Sequence, residues 1–110
     1  MHLVFNRNDF VYNMTHKGFE KENLPNGHIG LFLLDENDRR TGIRTEVPMG
    51  GHGREIGAPY IRQMAKRLHV TPKDLNLYQA CDYPYTWILQ ELRTKGYIPK
   101  QEQPTTSKFF

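Results

Sequence analysis

The stretch IRQMAKRLHVTPKDLNLYQA, residues 61 to 80, decides how this chain is read. Ile61, Met64, Ala65 and Leu68 recur at i, i+3, i+4 and i+7, which places them in one apolar stripe of an α-helix. Pro59 suits the first turn, where a missing N–H costs nothing, so the helix is expected from about Pro59 to His69. Arg62, Lys66 and Arg67 fall outside the stripe and make the polar face basic. Thr71 then has the features of an N-cap, with Pro72 at the first helical position and Asp74 three residues after the cap. The second helix is expected to bury Leu75, Tyr78 and Ala80.

Toward the C-terminus a third helix is expected to start at Asp82 as cap, with Pro84 in its first turn. Tyr85, Ile88, Leu89 and Leu92 make its apolar face. Gly96 should stop it in a left-handed conformation, with Tyr97 or Ile98 packing back. Residues 99–110 are polar until the final Phe109-Phe110 and are expected to be a flexible tail on a domain spanning 1–98.

Toward the N-terminus the pattern changes to that of strands. Leu3-Val4-Phe5 and Phe10-Val11-Tyr12 flank the turn-rich Asn6-Arg7-Asn8-Asp9 and predict a hairpin. The segment from Thr15 to Gly27 is polar, and Pro25-Asn26-Gly27 marks a turn. His28 to Leu34 is a compact apolar run of strand length, and Gly42 to Val47 alternates like a half-exposed strand. Pro48-Met49-Gly50-Gly51-His52-Gly53 breaks the pattern. The expected class is α+β: an N-terminal antiparallel sheet of three or four strands, then three helices.

Composition narrows the function classes. At 110 residues the chain can hold one core. Cys81 is the only cysteine, so no internal disulfide forms, which suits a reducing compartment. The start, MHLVFNRNDF, lacks the basic and long apolar regions of a secretory signal, and the apolar run Gly30 to Leu34 is far too short for a bilayer. A cytoplasmic protein with no membrane partner is expected. From Met1 to Pro48 six Lys/Arg face seven Asp/Glu; from Met49 to Phe110 nine face five. The basic excess therefore lies wholly in the second half and suits an anionic partner.

Residues 61–80 resemble the helix-turn-helix DNA-binding domains. The small Ala65 stands where a second helix would cross closely, Met64, Leu68, Val70, Leu75 and Tyr78 can face inward, and Thr71 caps the second helix. The turn position often held by glycine is His69, which must then take a left-handed backbone or a different turn. The resemblance implies that the second helix enters the major groove, presenting Thr71, Pro72, Lys73, Asn76 and Leu77. Lys73 would reach a phosphate or guanine, Asn76 an adenine, and Arg62, Lys66 and Arg67 the backbone. Residues 87–98 also resemble the last helix of winged-helix domains, in which Thr86, Gln90, Arg93 and Lys95 would face nucleic acid. The leading expectation is binding of nucleic acid, duplex DNA above all, in regulation or in phage- or mobile-element-like biology.

Two other classes compete. Tyr83, Tyr85 and Trp87 offer rigid aromatic area for protein contact, as in a small adaptor or inhibitor, or they fill the core. Gly50-Gly51-His52-Gly53-Arg54 before a helix could cradle a phosphate, with His52 as acid or base, but it matches no nucleotide-binding fingerprint. His2, His16, His28, His52 and His69 have no metal-ligand spacing and Cys81 has no CxxC partner, so neither a metal nor a cofactor is expected. No coiled-coil heptads speak for an oligomer.

Overall fold

The computed structural model describes residues 3–48 and 54–100, and the elements named below lie within them. They run β1 (Phe5–Asn6), α1 (Arg7–Thr15), β2 (Phe19–Asn23), β3 (Ile29–Leu34), β4 (Arg40–Val47), β5 (Glu55–Ile56), α2 (Ala58–Arg67), α3 (Pro72–Gln79) and α4 (Tyr85–Thr94). The class is α+β. Its sheets are an antiparallel meander β2-β3-β4 and a separate two-residue pair β1-β5. The helices number four among the described residues, one more than expected.

The additional helix is α1, and it replaces the expected N-terminal hairpin. Asn6, which reads as a turn residue, accepts a hydrogen bond on its side chain from the Asp9 N–H at 3.0 Å. That bond caps a helix, and Asp9 in the first turn complements the helix dipole. Phe10, Val11 and Met14 are then buried on one side, with Phe10 stacked on Phe5 at 5.1 Å between ring centres. Phe5–Asn6 finds its strand partner in Glu55–Ile56, far along the chain.

The register of the meander sorts its residues by face. Phe19 pairs with Leu33, Lys21 with Leu31 and Asn23 with Ile29, and across β3 Ile29 pairs with Val47 and Leu31 with Thr45. Ile29, Leu31, Leu33, Val47 and Phe19 join the core with Phe10, Met14, Ile61, Leu75, Ile88 and Leu92. The opposite face carries Glu20, Glu22, Phe32, Arg44 and Glu46. There Arg40 bridges Glu20 and Glu22 at 2.8 Å each, and its guanidinium lies 3.8 Å from the centre of the Phe32 ring. Charged side chains thus cover the Phe32 ring on the outer face.

The helices α2 to α4 largely follow their local signals. Thr71 caps α3 by accepting from the Asp74 N–H at 3.0 Å, with Pro72 in the first turn. Helix α4 starts at Tyr85 with Pro84, not Asp82, at its N-cap, and the Asp82 N–H instead closes the end of α3 on the Leu77 carbonyl at 2.9 Å. Ala80, expected inside, is exposed beyond the last turn.

Two contacts tie the halves of the chain together. The buried Lys17 donates from Nζ to the Tyr78 carbonyl at 2.6 Å and to the Tyr83 carbonyl, at the negative end of α3. Burial lowers the pKa of its ammonium, an effect that Cys81 and Asp82 oppose. Tyr78, fully buried, returns a hydrogen bond from its hydroxyl to the Lys17 carbonyl at 2.5 Å. Gly18 has φ +89, and a side chain there would run into the Tyr85 ring, so glycine is required on both counts.

Candidate functional site

Helices α2 and α3 are joined through residues 68–71, and the joint is closed by hydrogen bonds from its own backbone. The His69 N–H donates to Lys66 at 3.1 Å and the Val70 N–H to Ala65 at 3.0 Å. This is the Schellman arrangement, and it needs a left-handed residue at His69, whose φ is 60. Two groups from the end of α4 hold the histidine. Lys95 Nζ donates to its carbonyl at 2.7 Å, and Tyr97 stacks on its ring at 3.6 Å between centres. Ala65, Leu68, Val70, Leu75 and Tyr78 are buried around the joint.

The eight residues expected at a nucleic-acid interface fall into distinct groups. Arg62 and Lys66 are exposed one turn apart on α2, and Lys73 is exposed in the first turn of α3. Among the described residues, none of these three is in an ion pair. Arg67 is exposed too and lies 3.7 Å from Glu46 of β4. Thr71 is exposed, with its hydroxyl oxygen on the cap. Asn76 is half-buried. Its side-chain oxygen accepts from Gln79 at 3.2 Å, and Gln79 in turn accepts from Asn13 of α1 at 3.2 Å. A paired contact to adenine needs the oxygen that Gln79 holds.

Arg93 and Lys95 are engaged internally. Arg93 makes a two-pronged pair with Glu36, both contacts at 2.6 Å, and donates to the Pro99 carbonyl at 3.2 Å. That hydrogen-bonded guanidinium holds the Glu36 carboxyl below the usual carboxylate range. Lys95 joins the His69 carbonyl and Glu91, the latter at 3.1 Å. Thr86 and Gln90 of the winged-helix frame are exposed.

The aromatic trio of the adaptor reading is half-buried and packed against the core. The Tyr83 hydroxyl donates to Asp74 at 3.3 Å, and its ring lies 4.5 Å from Trp87. The Tyr85 hydroxyl donates to the Leu34 carbonyl at 3.3 Å. Among the described residues the aromatic side chains most open to solvent are instead Tyr12, Tyr60 and Tyr97. Met49 to Gly53, with His52, lie outside the described residues, as does the tail from Gln101 with Phe109 and Phe110. Among the described residues, no three His, Cys, Asp or Glu side chains gather to hold a metal. No helix among them is long and apolar enough to cross a membrane.

A cleft of about 320 Å³ that sequence reading missed lies between β4 and α2. Tyr60, Gln63, Met64 and Arg67 face it from α2, at i, i+3, i+4 and i+7. This second stripe was visible in the sequence. Its other wall, Asn26 and His28 from the β2–β3 turn and Glu46 from β4, could be placed only by the fold. Comparison with protein families, curated proteins and solved structures gave no match.

Proposed function

We propose that this protein binds nucleic acid, duplex DNA in the first instance, through the paired helices α2 and α3 in the manner of helix-turn-helix domains. One observation carries the reading: Arg62, Lys66 and Lys73 stand exposed, with no carboxylate in ion-pair range among the described residues, on the two helices flanking a locked turn. An exposed lysine or arginine without an internal partner loses little on meeting a phosphate, and releasing condensed counterions drives the association. The start of α3 adds the positive end of its dipole beside Lys73. Arg62, Lys66 and Arg67 serve as backbone contacts and position α3, and the exposed Lys73 is its reader.

The test is fluorescence anisotropy with labelled duplex DNA, single-stranded DNA and RNA, each over a salt series. Binding that weakens with a log–log slope of roughly −0.9 per neutralised phosphate on the duplex is expected. A flat salt response, or no binding to any of the three, refutes the reading.

A further inference from the structure

Strand β2 is an edge of the meander, and its backbone groups divide by side. The Leu34 N–H donates to the Gly18 carbonyl at 2.9 Å and the Leu24 N–H to the His28 carbonyl at 2.9 Å. Hydrogen-bonded pairs recur at every second residue of an antiparallel ladder, so Glu20 and Glu22 spend their backbone groups on β3. Phe19, Lys21 and Asn23 turn theirs to the outer side, where no strand lies among the described residues. Such a row of N–H and C=O groups is a template for one more strand.

Beside this edge runs a cleft of about 700 Å³ between α1 and β2. Val11, Phe19 and Ile29 form its apolar floor, and Tyr12, 63% exposed, stands at its rim. Lys21 and Asn23 line it from the strand, because alternation puts them on the same face as Phe19. Lys21 is exposed and in no ion pair among the described residues, and no carboxylate lines the cleft. On the opposite face Glu20 and Glu22 share the single guanidinium of Arg40, which leaves negative charge in excess. The edge is therefore cationic toward the cleft and anionic toward the other face.

That charge pattern decides the occupant. A second copy is ill suited. Every antiparallel register in which the two β2 edges meet over more than one residue sets Glu20 or Glu22 against a glutamate of the copy. We infer that β2 and its cleft take up an extended segment of a partner protein as a further antiparallel strand. In that segment apolar side chains and one carboxylate face the cleft, and the basic side chains between them face Glu20 and Glu22. Main-chain hydrogen bonds to Phe19, Lys21 and Asn23 supply the affinity, and the alternate side chains supply the specificity. The carboxylate meets Lys21, while the apolar groups cover Val11, Phe19 and Ile29. None of Arg62, Lys66 and Lys73 lines this cleft, so the inference stands apart from the nucleic-acid reading.

The experiment is fluorescence anisotropy of the full chain with an end-capped, labelled peptide, Thr-Val-Lys-Glu-Lys-Val-Thr. Saturable binding at or below about 100 μM is expected. N-methylation of the central glutamate removes the N–H that the Lys21 carbonyl would accept and should abolish binding. N-methylation of either lysine, whose N–H faces away from β2, should leave it. Lys21→Glu should weaken binding roughly tenfold, and a peptide with lysine in place of the central glutamate should restore it. Circular dichroism melts check that the variant is folded. No saturable binding, equal binding of the peptide N-methylated at glutamate, or a folded Lys21→Glu that binds unchanged overturns the inference. Sedimentation showing a dimer that the peptide dissolves assigns the edge to a second copy, and displacement by a peptide of residues 101–110 assigns it to the protein's own tail. Either result also overturns it.

Discussion

The cations of α2 and α3 and those of α4 carry the same formal charge and do different work. Arg62, Lys66 and Lys73 project into solvent, whereas Arg93 grips Glu36 and Lys95 grips Glu91 and the His69 carbonyl. The first group can meet a phosphate at little internal cost. The second must surrender charge-assisted hydrogen bonds to do so. Charge asymmetry along a sequence therefore overstates the surface available to an anionic partner, and partner distances decide which residues count.

Four experiments break or sharpen this contrast. The largest effect should come from removing the solvent-facing set. Replacing Arg62, Lys66 and Lys73 together by Ala should lower the salt slope for duplex DNA by roughly 0.9 per residue, with little change in melting. Lys95→Ala should leave the slope unaltered, and equal slopes for the two variants would erase the distinction. Next in size, Arg93→Ala should destabilise the fold by about 1–2 kcal/mol, measured by urea unfolding, because a half-buried two-pronged pair is lost. Arg62→Ala should stay within about 0.5 kcal/mol of the parent.

Acid titration gives a smaller and more specific signal. Glu36 has a lowered pKa because Arg93 hydrogen-bonds its ionised form. The stability from that pair is complete above the ordinary glutamate value of about 4.3 and is lost as pH falls through the lowered native value. Unfolding midpoints of the parent should drop in that window, and the Arg93→Ala profile should be flatter there. The smallest effect concerns Cys81, which holds φ 69 at the end of α3 and is exposed. Cys81→Gly should raise stability by about 0.5–1 kcal/mol, read from the melting temperature, since glycine adopts that backbone without strain.

Helices α2 to α4 were legible because their signals are local: the stripe from Ile61 to Leu68, the Thr71-Pro72-Asp74 cap, and Gly96 at φ 83. At His69 the sequence left open a left-handed backbone or a different turn, and the structure takes the left-handed one, with φ 60. Helix α1 was not legible, since Asn6 to Asp9 suits a turn or a cap equally. The choice is made by what Phe10 and Met14 bury against. Strand β2 has one apolar residue, Phe19, and owes its conformation to pairing with β3. The solvent-facing cations could be named in advance. The capture of Arg93 by Glu36, 57 positions away, required the fold, as did the cleft that Glu46 and Tyr60 both line.

Lys17 beneath α3 and Gly18 against Tyr85 have a consequence for how this protein can be divided. Excised alone, a peptide of residues 54–100 would leave the carbonyls of Tyr78 and Tyr83 without their ammonium donor and strip the sheet from its apolar side. The helical segment is thus no transplantable module. Severed between Pro48 and Arg54, the two pieces should each be unstructured yet regain the native spectrum when mixed, making the protein a natural candidate for a split reporter.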